Sequence, residues 1–310
     1  MDIRLQQLSY SSLLTLHSCP RRFQLDKIRG KDNTIDPTSL DELTFAYGHL
    51  VGSGIQKVLA GVKIETIIWE ESLAWPVDLL LENTKQNKSF WRALQAVMTF
   101  SNMKDHGYLD DYELVYLENG EPAVELSFVI TLPDGFKFRG YVDVVLRNKR
   151  TGKVVVLELK TNSAENINPA MYKNSSQALG YSVVLDFIFP DISSYEVLYL
   201  VYKSKSMAFE QLTFQKTYLQ RAQWIQQLLF DVEIIKMYEE AEIYPNYGES
   251  CFSFFRECEY FGNCTMNTAY LAKAITEKEL DKIENTVYHY NVTLEDLIEV
   301  QMKKAEKELV

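Results

Sequence analysis

The chain has 310 residues, of which 46% are hydrophobic, and it carries a formal net charge of −11. The apolar fraction is typical of a globular protein with a large core, and no apolar run approaches the roughly eighteen residues that a membrane span needs. The negative charge argues against a non-specific coat for nucleic acid, because such binding needs clustered Lys and Arg. It does not exclude an enzyme with a local basic channel.

The first third of the chain predicts helices. The pattern runs from about 9 to 106, with breaks near 30–38 and 76–87. One stretch within it is basic, comprising Arg21, Arg22, Lys27, Arg29 and Lys31. A second group of cations lies further along, at Arg139, Arg147, Lys149, Arg150 and Lys153. A solvated face is the usual explanation of such runs, and a contact to nucleic acid is the alternative.

A strand meander is predicted from about 112 to 160. Its last two strands are the apolar runs FKFRGYVDVVL (136–146) and VVVLELK (154–160). The residues between them, NKRTG, are typical of a turn. An antiparallel pairing through this turn can bring Asp143 beside Glu158.

Asp143, Glu158 and Lys160 form the most informative group in the sequence. Glu158 and Lys160 share one face of their strand, because side chains alternate. Two carboxylates can hold a hard cation such as Mg²⁺, which activates water, and a lysine can neutralise charge on a phosphate. A carboxylate that ends an apolar run is costly unless it is paired or metal-bound. The alternative is an exposed hairpin with three solvated charges.

A helix is predicted over 169–188, with Pro169 in its first turn. Gln177 and Tyr181 are four residues apart and therefore lie on one helical face. Gln177 could bind a phosphate or the attacking water, and Tyr181 could contact nucleic acid. A surface glutamine and a half-buried tyrosine are the alternative.

Strands near 195–202 and 207–213, a long helix at about 215–240 and a charged helical tail at 267–310 complete the pattern. The simplest architecture is an α/β fold with a central mixed sheet flanked by helices. We expect one domain over 1–266, with a helical region (about 9–106), a catalytic core (about 107–213) and a long helix with a cysteine loop (about 215–266). The acidic tail is either a solvated amphipathic helix or a docking site for a protein partner.

The chain has four cysteines, and three of them lie within CFSFFRECEYFGNC (251–264). The first seven residues are polar rather than an apolar signal segment, so we expect a cytoplasmic protein without disulfides. Four thiolates suit either zinc or an iron–sulfur cluster, and unrelated buried thiols are the remaining alternative. The set comprises Cys19, Cys251, Cys258 and Cys264.

Together these motifs resemble the PD-(D/E)XK nuclease superfamily, in its RecB-like branch that carries an iron–sulfur cluster. The matching pieces occur in the family's order and cover about residues 9–266. They are SYSSLLTLHSCPRRFQL (9–25), GYVDVV (140–145), LELK (157–160), QALGY (177–181) and CEYFGNC (258–264). The resemblance implies a restriction-endonuclease-like fold.

The sequence departs from the family pattern at two places. The family has a metal-binding histidine in a Gly-x-x-x-His helix. If Gly48 is the motif glycine, the histidine position is occupied by Gly52, with His49 three residues early and Gln56 one turn later. The second departure is the wide spacing between Cys251 and Cys258, where the family often has Cys-x-x-Cys.

The resemblance also implies roles for individual residues. Asp143, Glu158 and the Leu159 carbonyl would bind Mg²⁺ or Mn²⁺, Lys160 would be the catalytic lysine, and the pair on the helix, Gln177 and Tyr181, would position substrate or water. The four cysteines would hold a [4Fe-4S] cluster, with Zn²⁺ as the alternative. Glu125, in the strand-like run VELSFVI (124–130), is either an additional metal group or an exposed residue, and His49 and Gln56 are further candidates.

The resulting functional hypothesis is a metal-dependent DNA nuclease. The resemblance implies an exonuclease that acts on single strands or DNA ends in recombination, repair or replication, of a phage or mobile-element type and with a possible protein partner from those processes. The alternative is a non-catalytic protein that keeps the fold and the cluster to bind DNA or a partner.

Overall fold

The computed structural model describes residues 1–29, 39–82, 87–190, 195–253, 256–264 and 275–308. The chain divides into two compact units. The first unit comprises Met1–Asp36, Ser127–Gly140 and Ala222–Val310, and the second comprises Pro37–Leu126 and Tyr141–Arg221. No described helix has the length and apolar character needed to cross a membrane.

The described residues form eleven α-helices and ten strands. The helices are α1 (Tyr10–Ser18), α2 (Pro20–Arg29), α3 (Ser39–Leu59), α4 (Ile64–Ala74), α5 (Asp78–Glu82), α6 (Phe90–Asp105), α7 (Pro169–Lys173), α8 (Ser176–Ile188), α9 (Tyr218–Glu240), α10 (Glu277–Glu284) and α11 (Leu294–Glu308). The strands are β1 (Gln7–Leu8), β2 (Tyr112–Leu114), β3 (Val124–Thr131), β4 (Lys137–Asn148), β5 (Val154–Asn162), β6 (Tyr195–Lys203), β7 (Ala208–Lys216), β8 (Phe252–Ser253), β9 (Arg256–Glu257) and β10 (Tyr290–Thr293).

The second unit contains a mixed sheet with the strand order β2-β4-β5-β6-β7. The pairings are antiparallel except that between β5 and β6, which is parallel. β5 is apolar and fully buried over its first half, as expected of a strand covered on both faces. Helices α3 and α8 both contact it.

Helix α3 packs closely against α6 in the second unit. A Cβ at Gly54 would lie 2.5 Å from Cγ2 of Val97, so only glycine permits this approach. This contact holds α3 close to α6. Gln56, two residues later in α3, reaches the Asp143 carbonyl of β4.

The first unit contains two parallel strand pairs, β1 with β4 and β10 with β3. Phe138 of β4 packs edge-on against Trp224 of α9, at 5.3 Å between ring centroids. Ser9 caps α1 with a reciprocal capping box to Ser12. The ring contact packs α9 against β4, and the capping box fixes where α1 begins.

The α/β prediction with a central mixed sheet and flanking helices is confirmed. The helices up to residue 105, the strands from 112 to 162 and the long helix α9 lie where the patterns predict them, whereas residues 30–38 lie outside the described ones. Three details differ. Helix α5 lies inside the break predicted near 76–87, the predicted helix 169–188 is interrupted at Asn174 and Ser175, and the tail contains the strand β10 besides its helices. β10 is short and acquires its structure from pairing with β3, which local sequence does not reveal.

Candidate active site

The candidate site lies in the second unit, where the ladder between β4 and β5 opens. Val144 pairs with Leu157, so the next positions along the two strands are Asp143 and Glu158, as predicted. Here the backbone ladder stops, and the Leu159 amide donates to Oδ2 of Asp143 at 2.8 Å. The N–H and C=O of one strand residue point to the same side, so the Leu159 carbonyl also faces this opening.

Glu158 is the most deeply buried carboxylate of the site, with 1% of its surface exposed. Its Oε1 accepts a hydrogen bond from Nζ of Lys160 at 2.6 Å. Its Oε2 is buried without a hydrogen-bond partner among the described residues. A buried carboxylate oxygen with free lone pairs is costly unless a cation or donor can approach it.

Burial and mutual repulsion shift the titration of both carboxyls. Burial raises the pKa of Asp143 well above its usual value, and the charges of Glu158 and Glu125 add to this. The pKa of Glu158 is also raised by burial and by Glu125, against the opposing effect of Lys160. The pair therefore resists carrying two negative charges without a counter-ion, which is the electrostatic condition that a divalent cation relieves.

A chain of hydrogen bonds links the carboxylate of Glu158 to helix α8. Nζ of Lys160 also donates to Oε1 of Gln177 at 3.1 Å, and Nε2 of Gln177 donates to the Tyr181 hydroxyl at 2.5 Å. Burial, and then the charges of Glu158 and Asp143, raise the pKa of Tyr181 well above its usual value. The predicted helical face of Gln177 and Tyr181 thus points at the carboxylates.

Glu125 approaches the pair from β3 through Gln56 of α3. Nε2 of Gln56 donates to Oε1 of Glu125 at 2.6 Å and lies 3.5 Å from the Asp143 carbonyl oxygen. Glu125 has a φ of 47°, in the left-handed region that side chains rarely adopt. Strain of this kind concentrates at functional sites, where it re-aims a side chain.

One face of α3 is open where the related nucleases carry their histidine. A Cβ at Gly48 would meet Thr161 of β5 at 3.6 Å, and Gln56 reaches the site as described. Gly52 lies between them on the same helical face, and a Cβ there would meet no atom of the described residues within 4 Å. His49 follows Gly48 directly, lies off this helical face and is exposed.

The donor set fits a hard divalent cation. Carboxylate oxygens of Asp143 and Glu158, one of them unpartnered, and the Leu159 carbonyl are the ligand types that Mg²⁺ and Mn²⁺ prefer. Within the described part of the chain, no group of three or more His, Cys, Asp or Glu side chains is arranged to hold a metal ion.

The four cysteines all lie in the first unit and form no disulfide. Ser250, next to Cys251, donates to the Ser18 carbonyl at 2.6 Å, and Nε of Arg21 donates to the Cys264 carbonyl at 3.1 Å. The Cys258 amide donates to the Cys251 carbonyl at 2.7 Å. Burial raises the pKa of the Cys258 thiol, and Cys19 contributes to the shift. The contacts of Ser250 and Arg21 therefore place the cysteine loop beside the junction of α1 and α2, where Cys19 lies.

The sequence model of the PD-(D/E)XK nuclease superfamily matches residues 7–265. The chain belongs to this superfamily. The match spans the opened ladder of the candidate site and all four cysteines, and it confirms the predicted superfamily. No curated protein matches the chain.

The solved structures that are similar to this PD-(D/E)XK protein include the following two. A candidate exonuclease from Eubacterium rectale aligns over 92% of this chain and 96% of that chain, with a TM-score of 0.50 and 10% identity. At that identity the likeness supports the fold alone. The structure of SSO0001 covers 72% of this chain and 86% of that chain, with 12% identity and a TM-score of 0.28. That score is too low to support any argument.

The contact between Gln56 and Glu125 was not predictable as a contact. The sequence marks both residues only as candidates, because neither has a motif of its own. The turn before β3 and the close packing of α3, which create the contact, depend on tertiary structure. The glycine at position 52 is the one visible signal, since it removes a side chain where the family pattern has a ligand.

Asp143→Asn should stabilise the metal-free protein at neutral pH. Asn can still accept the Leu159 amide bond but removes one charge beside Glu158. A raised carboxyl pKa means that the folded state binds its proton more tightly than the unfolded chain. The stability linked to these groups is therefore present at low pH and is lost as the pH rises through the folded pKa.

In EDTA we expect a gain of about 1 kcal/mol, or a few degrees in Tm, for the variant at about pH 8, and a much smaller gain at about pH 5. Thermal melting followed by circular dichroism measures both. An equal or lower Tm of Asp143→Asn at the higher pH would show that the two carboxylates do not repel each other in the folded protein.

Proposed function

We propose that this PD-(D/E)XK protein is a metal-dependent nuclease that cleaves DNA, acting as an exonuclease on single strands or DNA ends. The observation that supports it most is the buried Oε2 of Glu158, which has no hydrogen-bond partner among the described residues. The charge of the same carboxylate raises the pKa of Asp143. A purely structural carboxylate would be paired or solvated.

The residues of the site would divide the work as follows. Asp143, Glu158 and the Leu159 carbonyl would hold Mg²⁺ or Mn²⁺, which when bound activates water and neutralises charge on the phosphate. Lys160 would donate a hydrogen bond to the phosphate or the attacking water as negative charge develops. Gln177 fixes the position of the Lys160 ammonium through a bond at 3.1 Å.

Gln56 and Glu125 would together replace part of the role that a histidine has in the family pattern. Gln56 holds Glu125 at 2.6 Å, and the carboxylate of Glu125 is close enough to shift the pKa of both Asp143 and Glu158. Glu125 would therefore complete the negative side of the cation site, directly or through a water. Gln56 is a positioning residue in this proposal.

A second candidate function is that of a DNA-binding protein without catalysis. The open space at Gly52 favours it, because a family ligand position carries no side chain. The retained bond between Lys160 and Glu158 favours the nuclease, because an inactive protein has no need of a buried carboxylate pair. Cleavage assays separate the two functions.

Purified protein should degrade linear single-stranded DNA with Mn²⁺ or Mg²⁺, and not in EDTA. Lys160→Ala should lower the cleavage rate by about a hundredfold or more, because it removes the cation beside the developing phosphate charge. Lys153→Ala is a matched control. Lys153 lies at the turn between β4 and β5, away from the site, and forms an ion pair with Glu196 of β6. Circular single strands should stay intact if the enzyme needs an end.

Two results would contradict this proposal. Wild-type protein that binds DNA but cleaves no substrate with either metal would favour the binding function. Cleavage that Lys160→Ala leaves at the wild-type rate would show that a contaminating nuclease or another site is responsible.

We also propose that Cys19, Cys251, Cys258 and Cys264 hold a [4Fe-4S] cluster, with zinc as the alternative, as in the RecB-like branch. The contacts of Ser250 and Arg21 support this, because they join the cysteine loop to the helix of Cys19. Such a cluster would tie α1 to the C-terminal part of the first unit, so its binding energy would contribute to folding.

Protein purified without oxygen should contain about four iron atoms per chain and absorb broadly in the visible range. Cys258→Ser should lose the metal and lower the yield of soluble protein, whereas Phe252→Ala, an exposed neighbour in the same loop, should keep both. Stoichiometric zinc without iron would reject the cluster in favour of the zinc alternative, and the absence of both metals would reject a metal site.

A further inference from the structure

A pair of cations in the first unit is not used by the candidate active site. Lys27 lies on α2, and its Nζ donates to the Gln7 carbonyl of β1 and lies 6.0 Å from the ring centroid of Phe23. Gln7 pairs in parallel with Lys137 of β4. Arg139 is two residues further along β4, on the same side of the strand as Lys137, about 6.5 Å away.

The Arg139 guanidinium is half-buried and makes no hydrogen bond or ion pair with any residue that the structure describes. The charge of Asp26 acts on Lys27, but this carboxylate also binds Tyr260 and lies 3.8 Å from Arg22. Glu259 in turn pairs with Arg22 at 3.2 Å. Both carboxylates are thus shared with Arg22, and the charge of Asp26 offsets only part of the effect of burial and of Arg139 on the pKa of Lys27.

Burial and the repulsion from Arg139 lower the pKa of Lys27 to about 8. Two cations close enough to repel each other in a partly buried environment destabilise the fold, unless an anion binds beside them. A lysine point charge beside an arginine fork is also the combination that binds phosphate oxygens well.

We propose that Lys27 and Arg139 form a binding site for a backbone phosphate of single-stranded nucleic acid. The inference rests on the proposed nuclease function for its choice of ligand, because DNA is the phosphate source that a nuclease meets.

The test measures binding of a labelled oligothymidylate by fluorescence anisotropy, in EDTA so that no cleavage occurs, over a series of salt concentrations. Arg139→Gln and Lys27→Gln should each weaken binding about tenfold. Each should also reduce the slope of log K against log salt by roughly 0.7, the value for one phosphate of a single strand. Arg139→Lys should recover most of the affinity, which a merely structural role of the planar side chain would not allow.

Lys236→Gln is the matched control in the same unit, because Lys236 is paired with both Asp134 and Glu233 and should leave binding unchanged. Unaltered affinity and salt slope in Arg139→Gln would overturn the proposal. The proposal would also be overturned if inorganic phosphate displaced the oligonucleotide at a concentration equal to that of the oligonucleotide's phosphates, because the site would then bind the free anion. If Arg139→Gln weakens binding and the wild-type protein cleaves no DNA, the two results together would support this site while rejecting the nuclease function.

Discussion

The carboxylates of Asp143 and Glu158 repel each other, and the other contacts of the candidate site act on this pair. Both groups are held side by side where the ladder of β4 and β5 opens, and burial raises the pKa of each. Water cannot solvate the inner oxygen of Glu158, and no described side chain binds it. The fold therefore maintains an unfavourable charge arrangement, which a bound divalent cation would convert into a favourable one.

The surrounding elements maintain this arrangement from three sides. The Leu159 amide fixes the carboxylate of Asp143, and Lys160 neutralises part of the charge of Glu158 while Gln177 holds the lysine in place. Across the site, Gln56 draws Glu125 inward from a strained backbone position. Each contact orients a group that would bind the cation or the phosphate, so the energetic cost of the site is distributed over several elements of the second unit.

Much of this arrangement could be predicted from sequence because it depends on local periodicity. The alternation in LELK, the turn NKRTG and the four-residue spacing of the helical pair lead directly to the observed register and helix face. Other features join residues that are far apart in the chain. They are the contact of Gln56 with Glu125, the pairing of β10 with β3, and the proximity of Lys27 to Arg139. Such contacts depend on how helices and strands pack, which periodicity does not encode. The role of each site residue remains a prediction.

Binding of Mn²⁺ to the protein without DNA, measured by titration calorimetry, tests most directly whether the carboxylate pair holds a cation. Wild-type protein should bind Mn²⁺ at the carboxylate pair with release of protons, because both carboxyls have a raised pKa. Glu158→Gln should bind that ion at least about tenfold more weakly, while Glu196→Gln, which changes an ion-paired glutamate on the neighbouring strand, should bind it normally. Equal Mn²⁺ affinity in Glu158→Gln and the wild type would contradict the account.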